Sequence, residues 1–267
     1  METPTHNYPH RTSEHTPGHA PKSACIPALG LSCSVLAGMA AIVWAGVRCV
    51  AMGIRDRLLS GVARQLGKPE GVTGRLLAIG LNRGNRGIVT AAVNAAQIAP
   101  GDRVADVGFG GGLSLALLLD RVGVTGHVDG IELSGTMLES AQRRFRVASS
   151  AGRLALHRGS ITETPLDGAS LDALITVNTI YFVDNLELAF RELARVVRPS
   201  GRAVIGLGNP QAMASLPFTA YGFRLRPVAE VADLLAKSGL TQIREERVGD
   251  GKRTYHLLIA THNQTLA

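Results

Sequence analysis

Seven consecutive residues, Asp106-Val107-Gly108-Phe109-Gly110-Gly111-Gly112, constrain this chain more than any other feature. They lie between an apolar strand pattern, Arg103–Val107, and a helix pattern that begins at Leu113. Glycine has no Cβ, so such a loop can take positive φ and let a flat ligand lie directly against main-chain N–H groups. Strand, glycine turn and helix together form the first crossover of an open α/β sheet, where ligands bind at the carboxyl ends of the strands. A nucleotide-like cofactor is expected at this loop.

The alternation continues downstream. Val128–Leu133 reads as a second strand, and Ser134 as the cap of a helix carrying Met137, Leu138, Ala141 and Phe145. Leu154–His157 and Leu171–Val177 follow as strands three and four. A helix is expected over Asn185–Val197, with Asp184 as its cap and Pro199-Ser200-Gly201 as its stop, before strand five at Arg202–Leu207. Pro227 opens a helix through Lys237. Ile243–Val248 and Tyr255–Ala260 then form a hairpin around Gly249-Asp250-Gly251. The fold class is therefore α/β: a Rossmann-like open sheet over residues 99–262, mostly parallel, with an antiparallel terminal hairpin and helices on both faces.

The N-terminal third differs in character. Residues 1–23, rich in Pro, Thr and His, read as a disordered tail. The hydrophobic segment 24–51 opens with Ala24–Val47, which holds no charged residue and exceeds the roughly 20 residues that span a bilayer. Glycine, serine and Pro27 dilute it, so three readings stay open: a membrane anchor, a cleaved signal and a dispensable leader. Residues 52–98 read as a helical arm. Ile54, Leu58, Leu59, Val62 and Leu66 recur at helical spacing, a second helix covers Leu76–Leu81 and a third Ile88–Ile98.

The net charge of +7 is concentrated there: eight basic residues between Arg48 and Arg86 face only Asp56 and Glu70. Such a segment suits an anionic membrane surface or an acidic partner, or is simply a solvated face. If Ala24–Val47 spans a bilayer, these cations place the following domain in the cytoplasm. Nucleic acid is not expected as a partner, because the cations lie away from the strand ends and no aromatic stacking platform accompanies them. Cys25, Cys33 and Cys49 match no metal motif; no metal is expected, and a reducing cytosol fits.

Which nucleotide-like cofactor binds can be narrowed. The dinucleotide fingerprint requires Gly or Ala at its third position, whereas Gly108 and Gly110 lead to Leu113, and Gly110 and Gly112 to Leu115. This spacing argues against an NAD(P)-dependent oxidoreductase. The pattern acid-x-Gly-x-Gly-x-Gly instead resembles the first motif of the class I S-adenosylmethionine-dependent methyltransferases. Gly130-Ile131-Glu132-Leu133-Ser134 resembles that family's second motif, and Thr176–Phe182 its segment after strand four. Arg191-Glu192-Leu193-Ala194-Arg195-Val196-Val197-Arg198-Pro199-Ser200-Gly201 resembles its approach to strand five. The likeness covers about 90–240, with order and spacing in agreement, and the stretch from about Gly53 to Ala260 looks like uncharacterised methyltransferases of actinobacterial type.

The resemblance implies S-adenosylmethionine as cofactor and assigns roles. Asp106 would anchor the loop, and Gly108, Phe109, Gly110 and Gly112 would run beneath the methionine and ribose. Glu132 would accept the ribose hydroxyls, Leu133 would flank the adenine, and Asn178 would offer backbone near the methionine end. Many members carry an Asp after strand three that takes the adenine amino group; here Ser160 or the Ile161 backbone would stand in for it.

A sulfonium methyl is already activated, so transfer needs positioning above all, and a base only for an acceptor protonated at neutral pH. Tyr181 and His157 are the candidate catalytic residues, with Asp184 a third near the strand ends. Asn178-Thr179-Ile180-Tyr181 has the spacing of the N-P-P-Y motif of amino methyltransferases but lacks both prolines, so that chemistry is not supported. The N-terminal helices and the stretch holding Met213, Phe218, Tyr221 and Phe223 could enclose an acceptor. The expected activity is methyl transfer to a small, apolar or lipid-like molecule; the alternative is a non-catalytic module that binds the cofactor as sensor or partner subunit.

Overall fold

The computed structural model describes residues 55–71, 84–251 and 254–262. The tail 1–23, the apolar segment 24–51 and the helix expected over Leu76–Leu81 lie outside the described residues. Among those described, no helix is long and apolar enough to cross a membrane.

Among the described residues, seven strands form one sheet: β1 (Arg103–Val107), β2 (His127–Glu132), β3 (Leu154–Arg158), β4 (Leu171–Val177), β5 (Val197–Gly208), β6 (Gln242–Val248) and β7 (Tyr255–Thr261). Their order is β3-β2-β1-β4-β5-β7-β6; β7 pairs antiparallel with both β5 and β6, and every other pairing is parallel. β1 and β4 read as nearly unbroken apolar runs because both their faces are covered, as inner parallel strands require. β6 is polar and lies at the edge, where Arg244–Glu246 and Arg247–Glu245 pairs discourage further strand pairing. The direction in which strands are added reverses between β1 and β4. Crossovers therefore leave on opposite faces and open a crevice at the ends of these two strands.

Two helices, Leu186–Val196 and Val228–Lys237, cover one face and bury Phe190, Leu193, Val231 and Leu235. On the other face Arg86–Ala95, Leu113–Val122 and Gly135–Arg144 bury Ile88, Leu115, Leu118 and Met137. Each such side chain contributes about 1.5–3 kcal/mol. Ile88, Ala92 and Val93 thus belong to the core of the sheet, and the helix Arg86–Ala95 packs as part of it.

The structure departs from the sequence-based boundaries in two instructive places. Pro199-Ser200-Gly201 does not separate helix from strand. The helix ends at Val196, Val197 already pairs with Leu171, and the triplet lies inside β5 beside a register shift between Leu171 and Ala173. A Cβ on Gly201 would stand 2.7 Å from the Leu171 carbonyl oxygen, so the glycine permits a bulge that strand pairing tolerates. Nor does Asp184 cap the helix that follows. Asn185 does, its Oδ1 accepting the Leu188 N–H at 2.9 Å, while Asp184 pairs with Arg224 at 2.6 Å.

Candidate active site

The loop after β1 is shaped by contacts that only glycine permits. Gly108 has φ +81° and donates its N–H to the Ile131 carbonyl at 2.8 Å, which ties the loop to β2. A Cβ there would come 2.4 Å from Thr179 Oγ1, so the loops after β1 and β4 close on each other only across a bare α-carbon. Gly110 is the opposite case: φ is +49°, and no atom lies within 4 Å of where its Cβ would stand. It borders open space.

That space is a cavity of about 670 Å³ lying over the ends of β1 and β4. Glu132, the last residue of β2, forms part of its wall and is clamped from both sides. The Gly110 N–H donates to Oε2 and the Ser134 N–H to Oε1, each at 2.9 Å. Burial raises the Glu132 pKa, opposed by the N–H groups of Ser134, Gly110 and Leu133. Asp106 is fully enclosed. Burial pushes its carboxyl up to about 7, against the hydrogen bond donated by the Ser114 hydroxyl and with the help of the Glu132 charge. Among the described residues, the carboxyl groups lining the cavity are those of Asp106, Glu132 and Asp184, and no Lys, Arg or His lines it. Asp184 is paired with Arg224 and Asp106 keeps its proton up to about pH 7, so the acidic character of the wall rests chiefly on Glu132, which favours a cation.

Most of the expected site residues meet there. Asp106, Gly108, Phe109, Gly110, Glu132, Leu133, Ser160, Ile161, Asn178 and Tyr181 line the cavity; Gly112 lies just behind it as the N-cap of the helix Leu113–Val122. Ser160 Oγ lies 2.8 Å from Thr162 Oγ1 and accepts the Thr162 N–H, so its hydroxyl first serves to shape its own turn. Asn178 adopts φ +58°, a left-handed conformation that Asn tolerates better than most residues. Its N–H donates to the Gly206 carbonyl at 2.8 Å.

The two catalytic candidates fare differently from expectation. The Tyr181 hydroxyl accepts the Gly208 N–H at 2.5 Å and donates to Asn178 Oδ1 at 3.3 Å. Burial raises its pKa well above the usual phenol range. Tyr181 therefore borders the cavity as a neutral strut between the exits of β4 and β5, with its hydroxyl already used. His157 does not border the cavity at all. Its Nε2 lies 2.9 Å from Asp129 Oδ1, in a cluster with Arg103 on the sheet face. The pairing arises from the β2–β3 register and has no local sequence signal.

The far end of the cavity is apolar. Leu66 and Gly67 from the helix over 55–67 meet Met213, Leu216, Phe218 and Phe223 from the stretch after β5. Phe182 and Phe223 pack edge to face with centroids 4.6 Å apart, and a Cβ on Gly67 would lie 2.8 Å from Phe182 Cδ1. Both segments expected to enclose an acceptor are thus present. Tyr221 turns elsewhere and donates its hydroxyl to Asp56 Oδ1 at 2.6 Å, fastening the cover to the helix over 55–67. Ser134, through its hydroxyl, likewise holds the Pro69 carbonyl.

Comparison with known proteins was made against this geometry. Residues 105–205 match the family described as "Methyltransferase domain". The chain is 31% identical over 123 residues to the uncharacterized methyltransferase YdaC of Bacillus subtilis, covering 46% of this chain and 65% of that one. It is 26% identical over 163 residues to the O-methyltransferase resE of Aspergillus sclerotiorum, covering 57% and 60%. The chain thus spans less than two thirds of the length of these curated relatives. Among solved structures, geranyl diphosphate methyltransferase in complex with S-adenosylmethionine superposes with a TM-score of 0.55 at 20% identity, covering 74% of this chain and 94% of that one, a likeness of fold.

Proposed function

Since this chain belongs to the class I S-adenosylmethionine-dependent methyltransferases, we propose that it transfers a methyl group to a small, uncharged and largely apolar acceptor. The observation that supports this reading is the two-ended cavity, with glycine loop and carboxylates at one end and leucine, methionine and phenylalanine at the other.

The residues at the polar end fit the cofactor. When bound, S-adenosylmethionine supplies a methyl group activated by a positively charged sulfur. Gly110 offers bare main chain to it, and Glu132, fixed by two N–H groups, keeps lone pairs for hydroxyls. The acidic wall complements a cation, and Asn178 and Tyr181 hold the loop after β4 in place.

The apolar end excludes water and orients the acceptor, which is what an in-line transfer needs most. Along the described part of the wall, a phosphate or carboxylate on the acceptor would meet carboxyl groups and no cation. Tyr181 is occupied, Asp184 is paired with Arg224, and His157 lies outside, so the acceptor should bring a nucleophile that needs no side-chain base.

The reading is tested by incubating the protein with methyl-labelled donor and small-molecule extracts fractionated by polarity. Label should pass into the apolar, uncharged fractions. Transfer confined to anionic compounds would overturn the acceptor assignment, and donor binding without transfer to any fraction would favour a cofactor-binding module.

A further inference from the structure

The helix over 55–67 carries a stripe that its packing does not use. Leu58, Val62 and Leu66 are four residues apart and so lie on one side of it. Leu66 lines the cavity, Val62 is 41% exposed, and Leu58 is 66% exposed. An apolar lane therefore runs from solvent to the cavity wall. At the cavity itself Leu188 (46% exposed) and Leu216 (38% exposed) line the space and also face outward, so they form an apolar rim at its mouth. Isolated exposed leucines are ordinary; exposed apolar side chains both on a cavity-lining helix and at the cavity itself are not.

Charge surrounds this lane. Arg55, Arg57, Arg64 and Lys68 are exposed along and just after the helix, against Asp56 and Glu70. Asp56 is engaged by Tyr221, and Lys68 pairs with Glu70 at 3.4 Å, which leaves the arginines as the charge presented outward. In sequence the helix follows the uncharged stretch Ala24–Val47 and the basic residue Arg48. An apolar stripe flanked by arginines and preceded by a long uncharged stretch is the pattern of a helix lying in a lipid interface.

We propose that the helix over 55–67 docks on an anionic lipid surface, with Leu58 and Val62 entering the interface and the Leu188–Leu216 rim turned toward the bilayer. An apolar acceptor would then reach the cavity from the lipid without crossing water. That consequence rests on the acceptor reading above, whereas the docking does not.

The test is co-sedimentation of the full chain with vesicles of phosphatidylcholine alone and with about a quarter phosphatidylglycerol, without donor or acceptor. Binding should favour the anionic vesicles and fall as salt is raised to about 0.5 M. Leu58→Ser with Val62→Ser, and separately Arg57→Glu with Arg64→Glu, should each lower the partition coefficient about tenfold or more. Both variants should keep the wild-type circular dichroism and donor affinity, which shows that the fold is intact. Absence of binding, equal binding to both vesicle types, or binding unchanged by either pair of substitutions would overturn the proposal. So would a dimer in light scattering that the serine variant dissolves, because the lane would then be covered by a second copy.

Discussion

Glu132 is the residue on which cofactor recognition turns, because it is buried, ionisable and held by two main-chain N–H groups while still bordering the cavity. Replacing it with alanine removes the hydroxyl acceptor and leaves the Gly110 and Ser134 N–H groups without their partner. Loss of charged hydrogen bonds of this kind costs about 1–3 kcal/mol, so Glu132→Ala should raise the donor dissociation constant roughly 5- to 150-fold in isothermal titration. An unchanged constant would remove Glu132 from the site. This residue and the glycines were legible in the sequence because their signal is local: an acid two residues past a glycine, and bare positions in a strand–helix turn. His157 was not legible in the same way. Its partner Asp129 is 28 positions away and is reached only through strand register, which no local spacing encodes.

At the scale of elements, the site depends on how the exits of neighbouring strands are fastened. Tyr181 joins them through one hydroxyl, which accepts from Gly208 at the end of β5 and donates to Asn178 at the end of β4. Tyr181→Phe keeps the ring packing but orphans a buried N–H, which should cost about 1–3 kcal/mol in denaturant unfolding. Because the hydroxyl has no free role, the shape of the pH–rate profile should stay as in the wild type. Loss of a titrating limb would instead make Tyr181 a proton carrier. The alternation of strands and helices was readable because each buried face imposes its period. The Pro199-Ser200-Gly201 triplet misled because proline and glycine also mark bulges, and only the partner strand decides between a bulge and a stop. Asp184 and Asn185 could both have capped the next helix. The choice fell to Asn185 once Arg224, 40 residues on, engaged Asp184.

For the molecule as a whole, the cavity carries a stability cost that pH reveals. Asp106 holds its proton up to about pH 7 in the folded chain, but only to about 3.8 when unfolded. Between those values the folded state binds more protons, so stability falls as pH rises, and the full penalty is reached above about 7. Asp106→Asn, which cannot ionise, should melt with a shallower decline between pH 5 and about 7, and the difference from wild type should grow toward neutrality. Parallel curves would place the titration elsewhere. That both a helix from the N-terminal stretch and the segment after β5 would close one cavity could be anticipated from their composition; which side chains face inward could not, as the inward turn of Phe218 and outward turn of Tyr221 show. The whole account rests on a single cavity serving donor and acceptor together. A structure with S-adenosylhomocysteine bound tests this most directly: the ribose should lie on Glu132, with the sulfur facing the space bounded by Met213, Phe218 and Phe223. A sulfur turned away from that apolar space, or the ligand seated elsewhere on the sheet, would contradict it.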